Sequence, residues 1–202
     1  MRHRIGGLLI VVGSIGFGAL LIFALAGQAI GASGNSLTSS IGLGSTTCGG
    51  LGSGLLALDG SARSKGGPAR FGLGVVAAAL LGLVAVQLLL IFSPIQGDPL
   101  ASPIILVFIG GYLALLVGQI VVALAFTFRG GSGVITGWLC LAGLAAILLS
   151  LLLVGPAPDL AAVLGVTGLA VILVGWLTLG VMAMRGGERP QPVPTGSRPT
   201  ER

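Results

Sequence analysis

Charge is scarce in this chain: of 202 residues only 7% are Asp, Glu, Lys or Arg, where a soluble domain carries about a quarter. So few charged side chains cannot cover a water-facing surface, which excludes an ordinary soluble globular fold. Histidine is nearly missing, and His3 sits beside the N-terminus. A lone terminal imidazole builds no zinc site, and a serine nucleophile would lack its base. No GxxxxGK[ST] phosphate loop occurs. Of the two cysteines, Cys48 lies in a Gly/Ser/Thr-rich stretch and Cys140 in an apolar run. Neither has ligand-like neighbours, so both read as small packing residues and not as a disulfide. Aromatic residues make up 5% and are not interleaved with basic ones, so the net charge of +5 does not point to nucleic acid. The expectation is a protein with no catalytic residues, no cofactor and no metal.

Apolar residues are what the chain has instead, at 54%, with a mean hydropathy of +1.11. A helix needs roughly 20 apolar residues to cross a hydrocarbon core about 30 Å thick. Five segments meet that requirement without a single charged residue: 5–30, 71–92, 103–128, 134–154 and 160–184. Pro and Gly punctuate the gaps between them. Ser93-Pro94 ends the second segment, and Ser102-Pro103 opens the third with an N-cap and a proline in the first turn. Gly130, Gly131 and Gly133 part the third from the fourth, and Gly155-Pro156-Ala157-Pro158 parts the fourth from the fifth.

The fold class expected is all-α, a polytopic transmembrane helical bundle over residues 1–184 with five helices and one undecided segment. That segment lies within 31–60, a Gly/Ser/Thr-rich stretch whose most apolar part is 41–58. It reads equally as a loop of small residues and as a sixth, weak or re-entrant helix. Residues 185–202 are rich in Pro and Arg and poor in apolar side chains, which predicts a disordered tail.

Orientation follows from the basic residues. If the second to fifth segments each cross, Arg63, Lys65, Arg70, Arg129, Arg185, Arg189, Arg198 and Arg202 share one side. Asp98 and Asp159 fall on the other, with no Lys or Arg beside them. The positive-inside rule then puts the C-terminus in the cytoplasm of a prokaryotic-type cell membrane. Arg2 and Arg4 join that side only if 41–58 also crosses. A cleaved first segment, cut after Ala24-Leu25-Ala26, is an alternative, although its apolar run is longer than that of a usual signal peptide.

Lipid tails are as apolar as leucine, so small residues that let backbones approach are the expected means of helix association. The chain has 37 glycines. Ala161, Gly165, Gly168 and Gly175 form one stripe in the fifth segment, and Gly111, Ala114, Gly118 and Ala125 form another in the third. Gly74, Ala78, Gly82 and Ala85 repeat the device in the second, and Gly27 and Gly31 pair in the first. Each stripe predicts a tight contact, within the chain or with a membrane-protein partner or second copy. Gly111 to Gly118 also resembles Gly168 to Gly175, as if one helical hairpin occurred twice.

Of the three amides within the apolar segments, Gln28 lies near a span end, while Gln87 and Gln119 stand well inside. Facing lipid they would be costly, so they read as interhelical hydrogen-bonding groups or as the polar lining of a solute path. The role expected first is a non-catalytic membrane subunit, scaffold or assembly factor. The alternative is a small permease or channel for a neutral solute.

Overall fold

The computed structural model describes residues 2–30, 36–59, 66–92, 103–128 and 133–185. Six α-helices run through them: α1 (Arg2–Ile30), α2 (Ser36–Leu58), α3 (Gly66–Phe92), α4 (Pro103–Phe128), α5 (Val134–Leu153) and α6 (Pro158–Arg185). There is no strand among the described residues. All six helices are long and apolar enough to cross a membrane, as in a multi-pass helical bundle. The proposed tail beyond Arg185, and Gly31 of the Gly27/Gly31 pair, lie outside the described residues.

The undecided segment is a helix, α2, and its polar side chains explain how. Ser45, Thr46, Thr47 and Ser53 each donate a hydroxyl hydrogen bond to the carbonyl four residues back, at 2.6–2.8 Å. A hydroxyl so engaged has no need of water and is tolerated inside a bundle. Three of these residues, Ser45, Thr46 and Ser53, are buried.

Each helix packs beside the next in sequence, and α6 packs back against α1, so the six close into a ring. Three antiparallel hairpins of one design build it. In the first, Gly6 and Gly13 of α1 lie against Gly52 and the Ser45–Gly49 turn of α2. In the second, Val76 and Leu83 of α3 lie against Gly118 and Gly111 of α4. In the third, Cys140 and Ile147 of α5 lie against Gly175 and Gly168 of α6. A step of seven residues on one helix thus matches a step of seven on its partner, about two turns, in all three. The likeness between Gly111–Gly118 and Gly168–Gly175 therefore has a spatial counterpart, which α1 and α2 extend to a third hairpin.

The crossing of α5 and α6 shows why glycine is needed. A Cβ on Gly143 would stand 2.6 Å from the carbonyl oxygen of Gly168, and one on Gly168 would stand 2.7 Å from that of Gly143. The α1–α6 contact that closes the ring uses Gly7 and Gly180 in the same reciprocal way.

The expected stripe on α3 is placed differently. Gly74 and Gly82 have nothing within 4 Å of a Cβ position, and Ala78, Gly82 and Ala85 are exposed. The close approach to α4 comes instead from Gly72, against Val122. Gly72 and Gly74 are two residues apart and so point to nearly opposite sides of the helix.

The buried core gathers side chains from all six helices, among them Ile10, Leu56, Leu73, Val122, Leu144 and Leu179. Several of these lie near the helix ends that carry Arg2, Arg4, Arg70 and Arg185, so the core plugs the ring at that end. There Arg70 donates from Nε to the Ala57 carbonyl at 2.9 Å, satisfying an acceptor in the last turn of α2. His3 Nδ1 lies 3.4 Å from Asp59 Oδ2, tying the start of α1 to the end of α2. Asp159, in the first turn of α6, lies at the opposite end.

Candidate functional site

Between the helices lies a cavity of about 480 Å³. It falls in the range of about 300–1,000 Å³ that accommodates drug-sized ligands. Five helices line it: α1 through Ile10, Ser14 and Phe17; α2 through Gly49 and Ser53; α3 through Val76 and Leu80; α4 through Tyr112, Leu115 and Gln119; α6 through Leu169, Ile172 and Trp176. Ile10, Val76 and Trp176 also belong to the buried core, so the plug at the arginine end forms the cavity floor. The cavity thus sits at mid-depth, between that plug and the end bearing Asp159.

No Asp, Glu, Lys, Arg or His lines it among the described residues. Its polar groups are the hydroxyls of Ser14, Ser53 and Tyr112 and the carboxamide of Gln119. Ser53 is fully buried and already donates to the Gly49 carbonyl, leaving its oxygen as an acceptor. The Gln119 carboxamide has no hydrogen-bond partner among the described residues. Such walls fit a neutral, mostly apolar occupant, because an ion would lose its hydration with no opposite charge to replace it.

The two glutamines singled out from sequence are not brought together. Gly111 against Leu83 and Gly118 against Val76 set the α3–α4 register. Gln119 therefore lies level with about residue 75, roughly 18 Å from Gln87 along α3 at 1.5 Å per residue. Gln119 faces the cavity; Gln87 is half-buried on α3 and is not among the lining residues.

The five glycines expected at helix contacts all lie at interfaces within the chain. Gly111 and Gly118 face α3, while Gly168 and Gly175 face α5. Gly165 also faces α5, where an added Cβ would stand at an ordinary 3.4 Å from Ser150 Oγ. A polar link also joins α5 to α6, where the Thr136 and Thr178 hydroxyls lie 2.9 Å apart.

Sequence reasoning flagged Gln119 of the cavity walls and missed Phe17, Ser53, Tyr112 and Trp176. A weak signal was available, since Tyr112 is the one tyrosine and Trp176 one of two tryptophans in an aromatic-poor chain. No group of three or more His, Cys, Asp or Glu side chains that could hold a metal occurs among the described residues. No family model matches the chain, and neither a curated protein nor a solved structure matches it.

Proposed function

We propose that this chain is a non-catalytic multi-pass membrane protein that binds a neutral, largely apolar small molecule at mid-depth and acts as a small permease for it. The supporting observation is the mid-depth cavity itself, mostly apolar, lined by five helices and carrying the Gln119 carboxamide, which has no partner among the described residues. The scaffold reading loses part of its motivation, because most of the small-residue faces are occupied by the chain's own neighbouring helices. It keeps one observation, the outward stripe Gly74, Ala78, Gly82 and Ala85 on α3, which a partner helix or a second copy could cover.

For orientation, the positive-inside rule supports a cell-membrane protein with both described chain ends in the cytoplasm. Arg2, Arg4, Arg70 and Arg185 lie at one end of the ring and Asp159 at the other.

Reconstitution into liposomes tests the permease role. Neutral apolar solutes should equilibrate faster than across protein-free liposomes, and Leu115→Trp, which fills the cavity from α4, should remove the excess. Equal flux with and without the protein for every solute tried would sink the proposal, as would an unchanged excess in Leu115→Trp.

A further inference from the structure

We propose that the cavity opens sideways into the lipid phase between α4 and α6, and that it takes an uncharged amphiphile from the bilayer, with a hydrogen-bonding head group on Gln119 and an apolar body toward the opening. The assignment rests on the reading of the cavity as a binding site and goes further in naming the ligand class and its route.

The opening is visible in the exposure of α4. Leu106, Val107, Ile109, Gly110, Tyr112 and Leu113 are all exposed. At about 100° per residue these positions sweep well over half of the helix circumference, including the side on which Ala123 meets α5 further along, whereas a helix held between two neighbours hides both contact faces. Gly111, set against Leu83 of α3, is the half-buried exception. The contact of α4 with α5 lies at the other end of the helix, where Gly137 meets Thr127 and the Ala123 carbonyl. The two helices are therefore joined near the arginine end and part toward the end bearing Asp159. At this gap Tyr112 of α4 and Leu169 of α6 both line the cavity, and each is 47% exposed. No α5 residue is among the lining residues. An opening along the flank of apolar helices meets hydrocarbon and not water, so the ligand is one dissolved in the membrane.

The polarity of the walls orients it. Gln119 lies two turns further in than Tyr112, about 10 Å along α4. It stands beside the floor formed by Val76 and Trp176, while Leu115, Leu169 and Leu173 line the way in. A carboxamide offers two donors and one acceptor, and in hydrocarbon each lacks a substitute for water. A hydroxyl or carbonyl at the end of an apolar chain supplies that partner. A charged head group would be buried with no counter-ion, which excludes fatty-acid carboxylates and phosphate esters as occupants.

Trp176 provides the readout, since Trp138→Phe on the exposed face of α5 leaves it as the single tryptophan. The variant in liposomes is titrated with a primary alcohol brominated on the carbon next to the one bearing the hydroxyl, which sets bromine at the head-group end beside Trp176, and with the matching bromoalkane, compared at equal bilayer concentration. Bromine quenches indole on contact. The expected result is saturable quenching by both, with the alcohol about fivefold tighter, the value of one neutral hydrogen bond. Gln119→Leu should abolish that preference and leave bromoalkane quenching in place, and aqueous acrylamide should quench weakly. Equal quenching by alcohol and alkane with Gln119 present would overturn the head-group assignment while leaving the cavity reading intact. Strong quenching by acrylamide with none by the bromoalkane would overturn the lipid-side opening. Absence of saturable quenching by any of the three would remove the cavity reading as well.

Discussion

Replacing Gly168 with alanine tests whether backbone contact holds the ring together. The Cβ so introduced would stand 2.7 Å from the Gly143 carbonyl oxygen and 3.1 Å from the Ile147 backbone nitrogen. Carbon and carbonyl oxygen settle at about 3.3–3.6 Å, so α5 and α6 must separate by roughly 0.6 Å or more at the crossing. A gap of that size forfeits about a quarter to a half of each dispersion contact of about 0.1–0.2 kcal/mol. Over some 25 contacts, a rough figure for one tight crossing, the loss is on the order of 1 kcal/mol. Residual clash raises it toward the ~1–3 kcal/mol typical of an overfilled core. Gly82→Ala is the reference, because a Cβ there meets nothing within 4 Å and the intrinsic helix gain of alanine is shared by both variants. Unfolding in mixed micelles by titration with a denaturing detergent, followed by helical circular dichroism, should place Gly168→Ala about 1–2 kcal/mol below Gly82→Ala. Equal stability of the two would refute the claim that the hairpins are joined by direct backbone contact.

Thr136→Val keeps the shape of α5 but removes the hydroxyl that meets Thr178, and should cost about 0.6–2 kcal/mol in the same assay. A double cycle with Thr178→Val should show the two losses to be non-additive. Arg70→Met withdraws the hydrogen bond to the Ala57 carbonyl, and hydrogen exchange should quicken in the last turn of α2 with little change in α5 or α6. Uniform quickening across all helices would show instead that the contact supports the whole ring.

The spans were legible because absence of charge and a length near 20 residues are direct physical requirements of a bilayer crossing. α2 was only half legible. Its hydroxyls count as polar in any hydropathy sum, yet Ser45, Thr46, Thr47 and Ser53 spend their protons on their own helix. The small-residue spacing was legible, but spacing alone does not tell which side a stripe faces. On α6 Gly168 and Gly175 look inward at α5, while on α3 Gly74 and Gly82 look outward and Gly72 makes the contact. The cavity was hardest to read, because its walls come from five helices and ordinary Leu, Ile and Val residues fill most of them. Gln119 stood out as an amide within a span, but only the helix register shows that it faces the cavity and that Gln87 lies about 18 Å away along α3.

Sided cysteine labelling tests the six-helix ring most directly. In a background with Cys48 and Cys140 replaced by alanine, single cysteines are placed at Arg4, Pro156 and Arg185 and treated with an impermeant maleimide on sealed vesicles of known orientation. The ring predicts that Arg4→Cys and Arg185→Cys react from one face and Pro156→Cys from the other. Reaction of Arg4→Cys and Arg185→Cys from opposite faces would mean an odd number of crossings, and the ring, its cavity and its lipid-side opening would fall together.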